Sequence, residues 1–214
     1  MFYNRVSLVE YLLKYNTDVN IPDIEGLAPL HIAAIENRPH LAKILIEKGA
    51  IVEARDNSGY RPLHLAADQG NIKTVKQLIN FGANVNNQSG WKSSPLHASV
   101  IRNNLLIVKM LLAKGAEINA QDRLGRSPLH WAAENGNLPI AELLLLNGAK
   151  IDIQDNDGEV VLHEAAKRDQ LRMVELFIDH GADVNAKSSD GRAPVHFAIA
   201  RGNLEVINLL KKWG

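Results

Sequence analysis

The chain has 214 residues, of which 46% are apolar and 22% charged, a balance that suits a packed fold and argues against disorder. Lysine plus arginine equals aspartate plus glutamate at 24 each, so no net field draws the chain toward nucleic acid phosphates or an anionic membrane. Cysteine is absent, which excludes disulfides and thiolate metal sites and fits a reducing compartment, cytoplasmic or nuclear.

No apolar run approaches the roughly 18 residues needed to span a bilayer, and Met1-Phe2-Tyr3-Asn4-Arg5 lacks the basic-then-apolar layout of a signal peptide. Residue 1 falls inside the first helix of a partial unit at 1–22, which points to a segment of a longer chain. From there a period dominates. Histidine stands at His31, His64, His97, His130, His163 and His196, each 33 residues after the last, and this uses six of the eight histidines. Glycine keeps the same step at Gly49, Gly82, Gly115, Gly148, Gly181 and Gly214, with Asn16 one period earlier. A third column reads Asn4, Asn37, Gly70, Asn103, Gly136, Asp169, Gly202. Glycine, and next asparagine or aspartate, enters the left-handed conformation that ends helices, so each unit carries two helix stops.

The elements repeat in one order. A turn comes first, as in Asp56-Asn57-Ser58-Gly59 and Asp155-Asn156-Asp157-Gly158, between short extended arms. A short first helix follows, as in Pro62-Leu63-His64-Leu65-Ala66-Ala67, with proline where a first helical turn tolerates it. The second helix carries an amphipathic stripe, such as Val75, Leu78 and Ile79, or Val108, Leu111 and Leu112. The third unit departs, with Ser89-Gly90-Trp91-Lys92-Ser93 at its turn, and the fifth has Val161 in place of proline. In the last unit Lys211 takes a column held elsewhere by Ile46, Ile79, Leu112, Leu145 and Ile178, which suits a terminal repeat.

Ala28-Pro29-Leu30-His31-Ile32-Ala33-Ala34, Arg61-Pro62-Leu63-His64-Leu65-Ala66-Ala67 and Ser127-Pro128-Leu129-His130-Trp131-Ala132-Ala133 resemble the T-P-L-H-x-A-A core of ankyrin repeats. Gly181-Ala182-Asp183-Val184-Asn185-Ala186 is similar to the G-A-D-V-N-A that closes such repeats. The resemblance covers a partial unit at 1–22 and units at 23–55, 56–88, 89–121, 122–154, 155–187 and 188–214. It implies an all-α fold, one α-solenoid of stacked helix-turn-helix repeats joined by β-turns or hairpins. The threonine of the motif is replaced by Ala28, Arg61, Ser94, Ser127, Val160 and Ala193, so a hydroxyl can bond near the histidine in two units at most.

The histidine column suggests a metal or proton relay, but ligands must converge on one ion at about 2 Å. Equivalent positions in successive repeats lie near 10 Å apart, so each imidazole is read as tying its turn to a neighbour. His163-Glu164-Ala165-Ala166-Lys167 lacks the second histidine of a zinc-protease motif, and no phosphate-loop, dinucleotide or nucleophile-elbow string appears. The chain is therefore read as non-enzymatic, without cofactor or metal.

The resemblance implies binding of another protein or peptide, by a monomer, on a concave face of turn tips and first helices. Mapped residue by residue, that face includes Ile24, Asp68, Leu124, Glu134, Glu159, Lys167, Arg168 and Arg201. Tyr60, Trp91, Arg102, Arg123 and Arg126 are the candidate contact residues, being of the types enriched at interface hot spots. Trp131 joins them, although its column of Ile32, Leu65, Ala98, Glu164 and Phe197 favours packing. Arg123 and Arg126 suggest a partner with an acidic patch. The alternative is a regulatory or spacer domain of a larger enzyme or channel. Asn20 and Asn119 also look like ankyrin asparagines that a protein hydroxylase can modify, although the same residues close the repeat.

Overall fold

The structure is a computed structural model that describes residues 13–15 and 18–214. Residues 1–12, 16 and 17, which include Asn4 and Asn16 of the two stop columns, lie outside the described residues. Twelve helices stand among the described residues, a shorter one alternating with a longer one. The first helices are α1 (Pro29–Ile35), α3 (Pro62–Asp68), α5 (Pro95–Ile101), α7 (Pro128–Glu134), α9 (Val161–Lys167) and α11 (Pro194–Arg201). The second helices are α2 (Pro39–Glu47), α4 (Ile72–Asn80), α6 (Leu105–Ala113), α8 (Leu138–Leu146), α10 (Leu171–Asp179) and α12 (Leu204–Trp213). The chain is an all-α repeat solenoid.

Both expected stops end helices. Asn37, Asn103 and Asp169 hold φ of 52°, 56° and 57°, the left-handed values that glycine takes at Gly70 and Gly136 in the same column. First helices start at proline in five units, and α9 starts at Val161 in register with them. Valine serves because the amide that proline lacks has no partner inside the helix anyway.

Capping falls to histidine. In each first helix the Nδ1 atom accepts the backbone N–H three residues before it, at 3.0 Å from Ala28 to His31 and 3.0 Å from Val160 to His163. The Ser94 and Ser127 hydroxyls also reach Nδ1 of His97 and His130, at 2.8 Å each, the two units in which a hydroxyl was available.

The chain falls into two compact units, Met1–Ala116 and Glu117–Gly214. Within the first, α1, α3 and α5 pack in one row and α2, α4 and α6 in another; within the second, α7, α9 and α11 form one row and α8, α10 and α12 the other. The rows meet on columns that repeat with the period. Leu30, Leu63, Leu96, Leu129 and Leu162 line the first helices, and Leu45, Leu78, Leu111, Leu144, Phe177 and Leu210 the second, all buried. Paired alanines, such as Ala66 and Ala67, are fully buried and let first helices approach closely. No repeat can bury these faces alone, so each relies on its neighbours.

The extended arms expected beyond each turn do not form strands among the described residues. Side-chain amides there do what ladder bonds would do. The Asn20 Oδ1 accepts the Ile51 N–H at 2.8 Å while its Nδ2 donates to the Gly49 carbonyl at 3.1 Å. Asn119 likewise accepts the Lys150 N–H at 2.9 Å, and Glu53, one period after Asn20, accepts the Asn84 N–H at 2.8 Å.

Candidate binding surface

Each first helix is preceded by a turn whose opening residue fixes it. The Asp56 carboxylate accepts the Ser58 and Tyr60 N–H groups at 2.9 and 2.8 Å, and Asp23, Asp122 and Asp155 repeat the pattern. Adjacent tips within a unit are stitched through main chain: the Gly90 N–H donates to the Ser58 carbonyl at 3.0 Å, and Asn156 donates to Leu124 at 2.9 Å. A Cβ added to Gly59 would sit 2.8 Å from the Gly90 nitrogen, so close stacking of tips requires glycine there. The tips are thus held in place before any partner arrives.

Imidazoles join tips to helices. His31, His64, His130 and His163 donate Nε2–H to the carbonyls of Tyr60, Ser93, Glu159 and Arg192, at 3.2, 3.1, 3.2 and 3.1 Å. Because Nδ1 accepts and Nε2 donates, the bonding requires the neutral ring. Burial pushes the pKa of all four down, that of His64 to about 4. Both nitrogens are occupied by main chain, and no group of three His, Asp or Glu side chains able to hold a metal occurs among the described residues.

The six sequence-derived residues fall in both units. Trp91 lies at the third tip and is 57% exposed, within a turn where Ser89 replaces aspartate and Lys92 takes the left-handed position at φ 54°. Those substitutions leave the turn closed, with Lys92 N–H donating to Ser89 at 2.9 Å. Tyr60 is half-buried, its ring edge-on to His64 at 5.9 Å. Arg102 forks onto Asp68 of the preceding first helix, with Nε and Nη2 at 2.9 and 3.1 Å from its two oxygens. In the second unit Arg123 is exposed at a tip.

Arg126 and Trp131 come together. The Arg126 guanidinium lies over the Trp131 ring at 5.2 Å and pairs with Glu134 and, at 3.6 Å, with Asp155. The indole N–H of Trp131 donates to Asp122 at 2.9 Å. Both side chains thus hold their own repeat, and Arg126 also ties it to the next.

Sequence reasoning underestimated how far the charged residues of this face answer one another. Arg168 bridges Glu134 and Glu164 at 2.7 Å each, and Lys167 reaches Glu159 at 2.7 Å and Glu164 at 3.5 Å. Glu164 is buried, and its place in the column of Trp131 and Phe197 gave no hint of charge pairing. A second miss is the asparagine that opens four of the six second helices. Asn71 Nδ2 donates to the Ala34 and Ile35 carbonyls of the preceding repeat at 2.7 and 2.9 Å, and Asn203 to Ala166 at 3.1 Å. The periodic column Asn71, Asn104, Asn137, Asn203 was a visible signal for it.

A family model described as Ankyrin repeats (3 copies) matches residues 1–89, 71–155 and 129–214, which between them span the chain. The chain belongs to the ankyrin-repeat family. Among solved structures it is similar to the ankyrin repeat domain of Bcl-3, described as a unique member of the IkappaB protein family, with a TM-score of 0.82 and 30% identity over 96% of this chain and 91% of that one. No curated protein matches the chain. Ankyrin repeats are generally protein–protein interaction modules, and the fold is typically non-catalytic. No helix among the described residues is long and apolar enough to cross a membrane.

Proposed function

We propose that this chain binds a protein or peptide partner on the face made by its turn tips and first helices. The observation that carries the reading is Trp91, a large aromatic side chain left 57% exposed on a tip whose backbone is fixed by its neighbour. Aromatic anchors on rigid backbone bind with little ordering cost. Ile24, 95% exposed at the first full tip, and Leu124, 48% exposed at a tip of the second unit, add apolar contact on the same kind of element. Trp91 and Arg123 are the strongest of the six candidates. Tyr60, Arg126 and Trp131 serve mainly to shape the face, since their side chains contact their own repeats.

Affinity capture with the intact chain beside Trp91→Ala tests the reading. Partners held by the wild type and lost from the variant, at an unchanged thermal midpoint, are the expected result. An identical set of captured proteins would sink it.

A further inference from the structure

A step of 34 residues carries an ion pair from one first helix to the next at two places, is uncharged from Ile35 and Ile101, and at one place brings two cations together. Asp68 receives Arg102 in the first unit, and Glu134 receives Arg168 in the second. The next residue in the column of Asp68 and Glu134 is Lys167, and the same step from it reaches Arg201. A cation thus stands where the other two pairs have a carboxylate.

Lys167, Arg168 and Arg201 line a cleft of about 430 Å³ with Asp169 and Asn203, at the C-terminal ends of α9 and α11. Two of these cations are already held from behind: Lys167 by Glu159 and Glu164, Arg168 by Glu164 and Glu134. Arg201, exposed at the end of α11, has no carboxylate within ion-pair distance among the described residues. Asp169 is the one acidic group on the lining.

Resting on the binding reading above, we infer that this cleft receives a carboxylate from an acidic peptide segment of the partner, which supplies the anion missing from the 34-residue register. Two features favour a carboxylate over a phosphate. The equivalent arginine, Arg102, engages its carboxylate through a two-pronged fork that matches a planar group. The cleft also sits at helix C-terminal ends, where the negative end of the helix dipole disfavours a dianion more than a monoanion.

The test uses the whole chain, labelled with nitrogen-15 and titrated with acetylated tetraglutamate amide, with the tetraglutamine peptide and inorganic phosphate as separate arms. Tetraglutamate should shift the amides of residues 167–169 and 201–203, more weakly as salt rises, while tetraglutamine does not. Arg201→Gln should weaken that binding about tenfold. Arg201→Glu, which puts the carboxylate in place within the chain, should abolish it without lowering the thermal midpoint. No shift at these residues, equal affinity in Arg201→Gln, or phosphate binding there in preference to tetraglutamate would each overturn the inference. A partner that is lost from Trp91→Ala but retained by Arg201→Glu would also overturn it, while leaving the interaction reading intact.

Discussion

Lys92 shows what the period costs where its preferred residue is missing. It holds φ of 54° at the turn position that Gly59 and Gly125 occupy in other repeats, and a side chain in that region is strained by about 1 kcal/mol. Lys92→Gly should therefore raise stability by about that amount, less the extra chain entropy of the unfolded glycine variant. Urea denaturation reads it, and an unchanged or lower midpoint would show that Lys92 has a compensating contact. Trp91, next to it, predicts the opposite separation of effects. Trp91→Ala should change stability by no more than about 0.5 kcal/mol, as exposed substitutions do, while costing about 2 kcal/mol or more of partner binding if it is a hot spot.

At the scale of the element, the charged residues of the first helices behave as a network. Trp131 is the clearest test, because the sequence placed it among contact candidates while its indole N–H donates to Asp122 and its ring lies under Arg126. Trp131→Phe keeps the ring and removes the donor, so it should cost about 1 kcal/mol of stability. Trp131→Ala should cost about 3 kcal/mol, by losing the packing as well. Equal and negligible losses in calorimetry would return Trp131 to the contact candidates. The Asp68 to Arg102 pair bridges successive first helices but is largely exposed, so Arg102→Gln should cost at most about 1 kcal/mol, a loss that shrinks with added salt.

For the whole molecule the histidine column sets the response to pH. The rings of His31, His64, His130 and His163 have to be neutral to accept at Nδ1 and donate at Nε2, and burial holds their pKa below 6.5. Well above pH 6.5 neither folded nor unfolded chain protonates these rings, and their contribution is complete. Between 6.5 and about 4, the value for His64, the unfolded chain binds protons that the folded chain refuses, so stability falls as pH is lowered through that window. For His64 alone the ceiling is on the order of 3 kcal/mol. Denaturant midpoints recorded from pH 7.5 to 4.5 should decline steadily, and a flat profile would show that the rings charge without losing their bonds. His64→Gln, which cannot gain a proton, should flatten part of the slope.

The sequence alone determined the period, the two stops in each repeat, the helix pairs between them and the family, because these depend on local chemistry: left-handed backbone at Gly, Asn and Asp, proline at first turns, and apolar residues at helical spacing. It also identified the imidazoles as ties between a turn and its neighbour, from spacing alone. Only the tertiary structure decided which polar residues are spent on the fold. Arg126 and Trp131 were singled out by hot-spot residue type, which says nothing about partners already present within the chain, and those partners, Asp122, Glu134 and Asp155, lie on neighbouring turns and helices. The unanswered charge of Arg201 was equally illegible, because it follows from how residues 34 apart meet across packed first helices, a distance in space that the linear chain does not contain.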